Sequence, residues 1–352
     1  MLNGKLVAVV IPAYNEETQI VGVLNTMPKF VDNILVINDC STDKTKDVVQ
    51  NYIKNKKLPD NSNRLNAKIG DLVMSNEEIH RFVPFELIFE PKQKVILVNL
   101  KKNSGAGAAV GLGYKISAIL GFSCVGKMDG DGQMDPSELE SLCLPIVNGE
   151  VDFVKGNRLI HSSAWLIIPK IRYIGNSILS ILTKIASGYW HVSDTQTGYV
   201  AISEKALKSL RLFDIYPRYG YPNDLLVKLN IAFCKIREVE IRPVYNVGEK
   251  SKMKIHKVIP KISILLIRSF FKRLWLKYFF RDFHPLFLLY HFSFFLAIMD
   301  IPFIYRIVKA VIYGEEWSFG TLLFFTFLSI SSFQSLLFAM WMDIQDNERL
   351  YK

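Results

Sequence analysis

The chain has few cysteines. Its 352 residues include only Cys40, Cys124, Cys143 and Cys234, and no two of them share a Cys-x-x-Cys spacing. Disulfide frameworks and structural zinc sites both need cysteines at characteristic spacings, so these two kinds of site are excluded. We therefore expect four reduced thiols in a cytoplasmic domain.

Long apolar runs are absent from the first part of the chain. The N-terminal run Leu6–Ile11 is too short for a signal-peptide core, and there is no internal repeat or low-complexity tract. Half of all residues are hydrophobic, and the excess gathers after about Pro285. Two runs there, at about 286–305 and 322–341, are long enough to cross a bilayer. We expect a two-helix membrane anchor over 285–352 with a short polar tail.

The formal net charge is +10, and many of the basic residues precede the first apolar run. These are Lys254, Lys257, Lys261, Arg268, Lys272, Arg273, Lys277 and Arg281. Basic residues beside a span favour anionic lipid at a cytoplasmic surface over nucleic acid. A solvated basic helix is the alternative, but interleaved Ile, Leu, Phe and Trp favour a basic amphipathic juxtamembrane segment over 254–284. We expect a multi-pass plasma-membrane protein whose large N-terminal domain is cytoplasmic and which binds no nucleic acid.

Strand-like and helix-like segments alternate through residues 1–253. Short β-branched runs such as Leu6–Ile11 and Ile34–Ile37 are each followed by a polar turn and a helical stretch. This alternation predicts an α/β domain with a mostly parallel, Rossmann-like sheet and a site at the carboxyl ends of the strands. The polar, proline-containing stretch at about 58–94 breaks the rhythm, and we interpret it as a surface insertion.

An acidic motif follows the predicted strand that ends near Met128. Asp129 and Asp131 are separated by one glycine, and Gln133 follows. Two carboxylates and an amide oxygen at the end of a strand are suitable ligands for Mg²⁺ or Mn²⁺, which share such ligands with substrate phosphates. An acidic surface turn is the alternative, because Asp and Gly are common turn residues.

Further segments occur in the order found in one enzyme family. They are Val9–Glu17, Val36–Thr45, Asn103–Tyr114, Lys127–Pro136, Gly156–Leu159, Ser193–Tyr199 and Gly248–Met253. With these segments the chain resembles the inverting family-2 glycosyltransferases of the GT-A fold. Within that family it is most similar to the polyprenyl-phosphate branch that includes dolichyl-phosphate mannose synthase.

The resemblance implies a role for each matching residue. The nucleotide pocket would contain Pro12, Ala13, Tyr14, Glu16 and Asp39, with Asp39 accepting a hydrogen bond from the base. Asp129, Asp131 and Gln133 would bind the metal, and Arg158, Arg172, Lys250, Ser251 and Lys252 would bind phosphate. Asp131, Arg158 and Asp194 would be catalytic. Asp194 matches a position assigned as a base or acceptor-orienting group, but an Asx turn or helix cap explains it equally well. Asn38 departs from the family, which has an Asp there.

The implied reaction is transfer of a sugar, with inversion, from a nucleotide-sugar to undecaprenyl or dolichyl phosphate. UDP is favoured over GDP, and some members of this branch form tetramers, so a homo-oligomer is compatible with the resemblance. One alternative is a glycolipid or polysaccharide hydroxyl acceptor, which would need a carboxylate base such as Asp194 or Asp224. The QxxRW motif of processive synthases is absent. A non-catalytic scaffold of the same fold is disfavoured by the intact set of Asp129, Asp131, Gln133 and Arg158.

Overall fold

The computed structural model describes residues 1–55, 69–90, 93–244, 255–314, 316 and 318–352, except for the side chains of residues 171, 172 and 255–259. The chain forms two compact units. The first contains residues 1–269 together with 350–352, and the second contains residues 270–349.

An eight-stranded sheet forms the centre of the first unit. Its strands are β1 Val7–Ala13, β2 Asn33–Asn38, β3 Phe85–Phe89, β4 Val95–Leu100, β5 Cys124–Lys127, β6 Phe153–Asn157, β7 Val200–Ser203 and β8 Ile236–Glu240. Their spatial order is β3-β4-β2-β1-β5-β7-β6-β8. β1 pairs in parallel with β2 and β5, β2 with β4, and β6 with β8, whereas β3 and β7 run antiparallel to their neighbours. The expected mostly parallel α/β sheet of a GT-A fold is confirmed.

This topology brings several chain segments to one edge of the sheet. The carboxyl ends of β1, β2, β5 and β6 point to the same edge, because β7 is antiparallel to both β5 and β6. The residues that precede β7 therefore lie at that edge too. Polar residues that follow β5 and β6 can meet those of the loop before β7, although they are far apart in sequence.

Helices cover the two faces of the sheet, over two clusters of buried apolar side chains. The α-helices of this unit are α1 Ile20–Asn25, α2 Thr45–Asn55, α3 Ile69–Met74, α4 Ala106–Ile119, α5 Leu139–Val147, α6 Ala164–Ile167, α7 Lys170–Ser187, α8 Glu204–Ser209 and α9 Tyr221–Ile231. A Cβ atom at Gly113 of α4 would collide with Val10 and lie 3.2 Å from Ile37. Glycine in α4 therefore permits close helix–sheet packing.

The segment expected to be a surface insertion contributes to the core. In its described part, Ile69, Val73 and Ile79 are buried in the main apolar cluster. Its last residues form β3, which pairs antiparallel with β4 at the sheet edge. The interpretation of this part as a surface segment was wrong: its inward-facing apolar residues alternate with exposed ones such as Leu72 and Met74, so the sequence shows no clear period.

The second unit contains a helical hairpin. A long helix, α10 Ile255–Trp275, begins in the first unit and ends in the second, where a π-helical segment Leu276–Arg281 follows it. The helices α11 Pro285–Tyr313 and α12 Phe319–Glu348 come next, and both are long and apolar enough to span a membrane. Hydrogen bonds join α11 to α12: the Ser293 hydroxyl donates to the Ser332 carbonyl at 2.9 Å, and the Ser329 hydroxyl donates to Asp300 at 2.6 Å.

A buried polar network lies where the end of α12 meets the segment before α11. The Arg273 guanidinium donates two hydrogen bonds of 2.7 Å to Asp343, and both side chains are 0% exposed. Tyr278 donates to Asp343 at 3.0 Å, and Lys277 donates to Asn347 at 2.6 Å. Each of these two charges needs the other as a partner, because either charge alone would be costly to bury.

We expect Asp343→Asn to destabilise the second unit by about 3 kcal/mol, because it leaves the buried guanidinium of Arg273 without a counter-charge. Thermal unfolding of the detergent-solubilised protein, followed by circular dichroism, measures this loss. Glu348→Gln, at an exposed carboxylate near the end of the same helix, is the control and should unfold like the wild type. An Asp343→Asn protein that unfolds at the same temperature as the wild type would show that the network contributes little to stability.

Candidate active site

The loops after β1 and β2 are hydrogen-bonded to each other. The Asp39 N–H donates to the Ala13 carbonyl at 2.9 Å. Asn15 has a positive φ of 57° and accepts a hydrogen bond of 2.8 Å from the Thr42 N–H. Tyr14 is exposed next to this contact. Of the predicted nucleotide residues, Pro12 and Ala13 therefore end β1, while Tyr14, Glu16 and Asp39 lie in two joined loops at the carboxyl edge of the sheet.

Asp39 organises the glycine-rich segment before α4. Its carboxylate accepts hydrogen bonds from the N–H groups of Ser104 at 2.7 Å and Gly105 at 2.8 Å. Burial raises the pKa of Asp39, against the opposing effect of these two N–H donors and of Arg218. A carboxylate has about four acceptor positions, so these contacts are compatible with the predicted contact to a base. That contact stays a prediction.

The departure at Asn38 has a local reason. The Asn38 amide donates to the Asn99 side-chain oxygen at 2.6 Å, while its own oxygen accepts a hydrogen bond of 2.5 Å from the Ser41 hydroxyl. Ionised aspartate has no donor and could not make the first of these bonds. The asparagine is thus matched to Asn99 on the neighbouring strand β4.

The acidic motif lies directly after β5. Asp129 accepts a hydrogen bond of 2.5 Å from Lys127, and Asp131 accepts one of 3.0 Å from the Gln133 N–H. Within the described ranges, no three His, Cys, Asp or Glu side chains are grouped to hold a metal. The protein side chains here are two carboxylates and one amide, so the remaining ligands of a divalent ion would come from substrate and water.

Lys127 is a buried partner of this motif that the sequence analysis missed. Its burial acts to lower the pKa, but the charges of Asp129 and Tyr221 and the hydrogen bonds to them together outweigh this effect, so the pKa of Lys127 is raised and the side chain is an ammonium ion. A Cβ atom at Gly198 would lie 2.5 Å from this nitrogen and 3.2 Å from Asp129 Oδ2. Glycine at 198 therefore leaves the space that the ion pair occupies.

Arg158 and Asp194 form a bidentate ion pair. Arg158 Nε donates to Asp194 Oδ2 at 2.8 Å, and Nη2 donates to Oδ1 at 3.1 Å. Arg158 immediately follows β6, whereas Asp194 lies in the loop before β7. The Asp194 side chain is 0% exposed and that of Arg158 is 22% exposed. The planar, two-bond geometry fixes the orientation of the guanidinium.

Asp194 also organises its own loop. Its Oδ1 accepts hydrogen bonds of 3.2 Å from the N–H groups of Gln196 and Thr197, as in an Asx turn. Burial acts to raise the pKa of Asp194, but Arg158 and Lys155 outweigh it and the pKa is lowered. The carboxylate is therefore ionised, buried and engaged with donors. This environment suits a residue that holds Arg158 in place better than a proton acceptor.

A second buried lysine, Lys155, was also missed. It lies on β6 and donates a hydrogen bond of 2.5 Å to the Thr197 carbonyl. Burial lowers its pKa to about 8, although Asp194 and Glu238 act in the opposite direction. A single lysine between Val154 and Gly156 in the strand Phe153–Asn157 was the available signal, since a buried strand position rarely holds a charge without a partner.

Asp129, Gln133 and Arg158 border a cavity of about 110 Å³. It is lined by Asp129, Gln133, Met134, Glu138, Arg158, Gln196, Thr197, Gly198, Tyr199, Ile241, Arg242 and Val244. Two of the three predicted metal residues, Asp129 and Gln133, thus lie at the same cavity as Arg158, whereas Asp131 is not in its lining. Lys250, Ser251, Lys252 and the side chain of Arg172 lie outside the described residues. Asp224, the other candidate base, accepts a hydrogen bond of 2.8 Å from the Tyr216 N–H and pairs with Lys228.

Comparison with known proteins gives the family. The sequence model of glycosyl transferase family 2 matches residues 8–66 and 85–211, more than half of the chain. The chain belongs to glycosyl transferase family 2. This protein is therefore a glycosyltransferase, and the residues of the matched region include those of the cavity at Asp129, Arg158 and Thr197.

This glycosyltransferase is similar to several known proteins. It is 29% identical, over 68% of its length and 86% of the relative, to UDP-N-acetylglucosamine–dolichyl-phosphate N-acetylglucosaminyltransferase of Methanococcus voltae. It is 26% identical, over 74% of its length and 72% of the relative, to a dolichyl-phosphate beta-glucosyltransferase of Trichomonas vaginalis. A structure of glucosyl-3-phosphoglycerate synthase from Mycobacterium tuberculosis, in complex with Mn²⁺, UDP and phosphoglyceric acid, covers 77% of the chain and 78% of that protein, at 17% identity and a TM-score of 0.48.

We expect Lys155→Met to change how the stability of this glycosyltransferase depends on pH. In the wild type the pKa of Lys155 is about 8 in the folded state, against an ordinary value of 10.5, so the unfolded state binds more protons between these values. Wild-type stability should therefore rise from about pH 8 towards pH 10.5, and the variant should lack this contribution.

The measurement is the difference in melting temperature between variant and wild type, from pH 7 to pH 9.5 in the same detergent. The variant's stability relative to the wild type should decrease as pH rises through 8. Lys101→Met, at an exposed lysine, should show no such trend. A constant difference for Lys155→Met would mean that Lys155 does not titrate near pH 8.

Proposed function

We propose that this enzyme transfers a sugar, with inversion, from a nucleotide-sugar to a polyprenyl phosphate at a membrane surface. UDP is the favoured nucleotide, and undecaprenyl or dolichyl phosphate is the favoured acceptor. The product would be a polyprenyl-phosphate-linked sugar for assembly of a cell-envelope glycan or a glycoprotein.

The observation that supports this proposal most strongly is the Arg158–Asp194 pair. It places a guanidinium of fixed orientation in the lining of the same cavity as Asp129 and Gln133. A phosphate acceptor is already anionic near neutral pH, so it needs a cation to hold it more than a base to deprotonate it. A hydroxyl acceptor would need a base, and the two candidates, Asp194 and Asp224, are both held in other contacts.

A lipid acceptor is further supported by an exposed apolar surface. After Arg158 the chain forms α6 and α7, whose exposed side chains include Trp165, Leu166, Ile174, Ile178 and Ile181. Leu166 is 85% exposed and Ile178 is 56% exposed. We call these five side chains the α6–α7 apolar face. Such a face is unfavourable in water and suits the boundary between headgroups and acyl chains.

The membrane context has independent support. α11 and α12 are long and apolar enough to span a bilayer, and the two named relatives act on a dolichyl phosphate according to their names. In the proposed division, residues 1–253 form the cytoplasmic catalytic domain, 254–284 lie along the membrane surface and 285–352 form the anchor. The basic residues of 254–284 favour a cytoplasmic position by the positive-inside rule.

The acidic motif fits a divalent cation. Asp129 has a partly exposed carboxylate, and both it and Gln133 line the cavity. Carboxylate and amide oxygens match the preference of Mg²⁺ and Mn²⁺. Asp129, Asp131 and Gln133 would hold the ion, which neutralises charge on the departing diphosphate when bound. Lys127 keeps one oxygen of Asp129 in place by its hydrogen bond.

In the proposed reaction, an acceptor phosphate oxygen forms a bond to the anomeric carbon of the sugar as the bond from that carbon to the nucleotide diphosphate breaks. Attack on the opposite face inverts the configuration, and no proton has to be removed from the acceptor. Arg158 would hold the acceptor phosphate against its repulsion from the diphosphate. Asp194 would keep the guanidinium aligned during the approach.

The full chain in detergent tests this function. Radiolabelled UDP- and GDP-sugars are offered with undecaprenyl or dolichyl phosphate, with Mn²⁺ or with EDTA, and label in the lipid phase is counted. We expect transfer from one donor, reduced about 100-fold by EDTA and by Asp131→Asn because charge stabilisation of the leaving group is lost. Asp47→Asn, at an exposed carboxylate on α2, should transfer like the wild type. Label that reaches only a hydroxyl acceptor would overturn the proposal.

The α6–α7 apolar face gives a second prediction. The double variant Ile174→Ser, Ile178→Ser should lower transfer to undecaprenyl phosphate in vesicles by about tenfold, because apolar area that contacts the lipid is removed. Transfer to a short, water-soluble prenyl phosphate should be unchanged. Leu72→Ser, Met74→Ser, at exposed apolar residues of α3, is the matched control. Equal loss with both acceptors would argue against contact between this face and the membrane.

A further inference from the structure

Glu238, in the middle of β8, binds two separate segments of the active site. Its carboxylate accepts hydrogen bonds from the Ser193 N–H at 3.0 and 2.9 Å and from the Asp194 N–H at 3.0 Å. It also accepts one of 2.8 Å from the side-chain amide of Asn157. One side chain therefore joins the end of β6 to the loop before β7.

These two segments contain the two members of the ion pair. Asn157 immediately precedes Arg158, and its side-chain oxygen accepts hydrogen bonds from the N–H groups of Leu159 at 2.9 Å and Ile160 at 3.3 Å. Asn157 thus holds the turn after Arg158, while Glu238 holds Asn157. On the other side, Glu238 fixes the main chain of Asp194 itself. The relative position of Arg158 and Asp194 is consequently set from β8.

The surroundings of Glu238 have opposing effects on its ionisation. Burial raises the pKa of Glu238, while the hydrogen bonds from the Ser193 and Asp194 N–H groups, that from Asn157 and the charge of Lys155 lower it. Bonds from N–H donors to an ionised carboxylate are about twice as strong as neutral ones. A second carboxylate so near Asp194 is electrostatically unfavourable. A neutral, apolar residue of β8 would avoid this repulsion, but it could not accept these hydrogen bonds.

We propose that Glu238 is a positioning residue for sugar transfer, which holds the Arg158–Asp194 pair in the geometry that receives the acceptor phosphate. This inference rests on the proposed function, since it assigns Arg158 to the acceptor. It predicts that changes at Glu238 alter use of the acceptor and leave binding of the nucleotide-sugar unaffected.

The contact between Glu238 and Asn157 allows a swap of the two functional groups. In Glu238→Gln, the new oxygen can still accept from Ser193 and Asp194, but the new amide N–H₂ faces the N–H₂ group of Asn157. In Asn157→Asp, two carboxylates face each other. In the double variant Asn157→Asp, Glu238→Gln, the carboxylate at 157 accepts from the amide at 238, and its other oxygen still accepts from Leu159 and Ile160.

The measurements are kcat and KM for polyprenyl phosphate, the Kd of the nucleotide-sugar by calorimetry, and the melting temperature. Each single variant should lose about 10- to 100-fold in kcat/KM for the acceptor, because a small displacement of the guanidinium weakens the alignment of the reactants. The Kd of the donor should change less than about twofold, which is a free-energy change no larger than that of a typical surface substitution. The double variant should recover most of the lost kcat/KM.

Glu240→Gln, at an exposed carboxylate on the same strand, is the matched control and should behave like the wild type. Three results would overturn the positioning role. The first is a Glu238→Gln enzyme with wild-type acceptor kinetics, and the second is a double variant with no higher kcat/KM than the single ones. The third is a loss of donor affinity as large as the loss of transfer, together with a lowered melting temperature. Absence of wild-type transfer to polyprenyl phosphate would instead overturn the proposed acceptor. The two failures are therefore distinguishable.

Discussion

Burial of the Asp194 carboxylate is the constraint on which the arrangement of the site depends. A carboxylate with no exposed surface is very unfavourable unless charges and N–H donors surround it. Arg158 provides the charge, and the N–H groups of Arg158, Gln196 and Thr197 provide further donors. These groups come from the end of β6 and the loop before β7, and β8 adds Glu238 beneath them. The adjacent order β7-β6-β8 is what makes this burial possible.

A second buried ion pair shows what distinguishes an active-site pair from a structural one. In the second unit, Arg273 and Asp343 are both 0% exposed, and their neighbours Tyr278 and Asn347 complete the hydrogen bonds. That pair is closed to any ligand and joins two segments of the chain. The Arg158 guanidinium is instead 22% exposed at a cavity. Because the Asp194 carboxylate is buried and the Arg158 guanidinium is partly exposed, the guanidinium has a fixed orientation and can still contact an anion.

Much of the fold was predictable from local patterns. The run Ile34–Ile37 was predicted as a strand and lies within β2, because a β-branched run between polar turns has few alternatives. β3 was missed, since it is a short antiparallel edge strand with only partly buried side chains after a polar, proline-containing stretch. Edge strands pair on one side only, so they need less of the apolar alternation that reveals a strand.

The site was predictable where a motif is contiguous, as in Asp129–Gln133, and unpredictable where contacts join distant segments. Glu238 and Asn157 are 81 positions apart, and Lys155 meets Thr197 across 42. No local pattern encodes such pairs. The same holds for Asn38, whose identity is explained only by Asn99, a partner on another strand.

The balance of charge around the cavity leads to a requirement on the substrates. Among the described residues that line the cavity, the basic side chains are those of Arg158 and Arg242, and the acidic ones are those of Asp129 and Glu138. Acids and bases are equal in number there, so these residues alone would not attract two anions to one place. A nucleotide diphosphate and a lipid phosphate repel each other at close range, most strongly where water is excluded.

The proposed reaction therefore needs further positive charge. The sequence offers Arg172, Lys250 and Lys252, and the oxygen ligands of the acidic motif suit a divalent cation that would arrive with the diphosphate. A divalent cation held there would reduce the repulsion between the two phosphates, and Arg158, with its fixed orientation, would hold the acceptor phosphate. The cations that bring two anionic substrates together are therefore not supplied by the lining of the cavity alone.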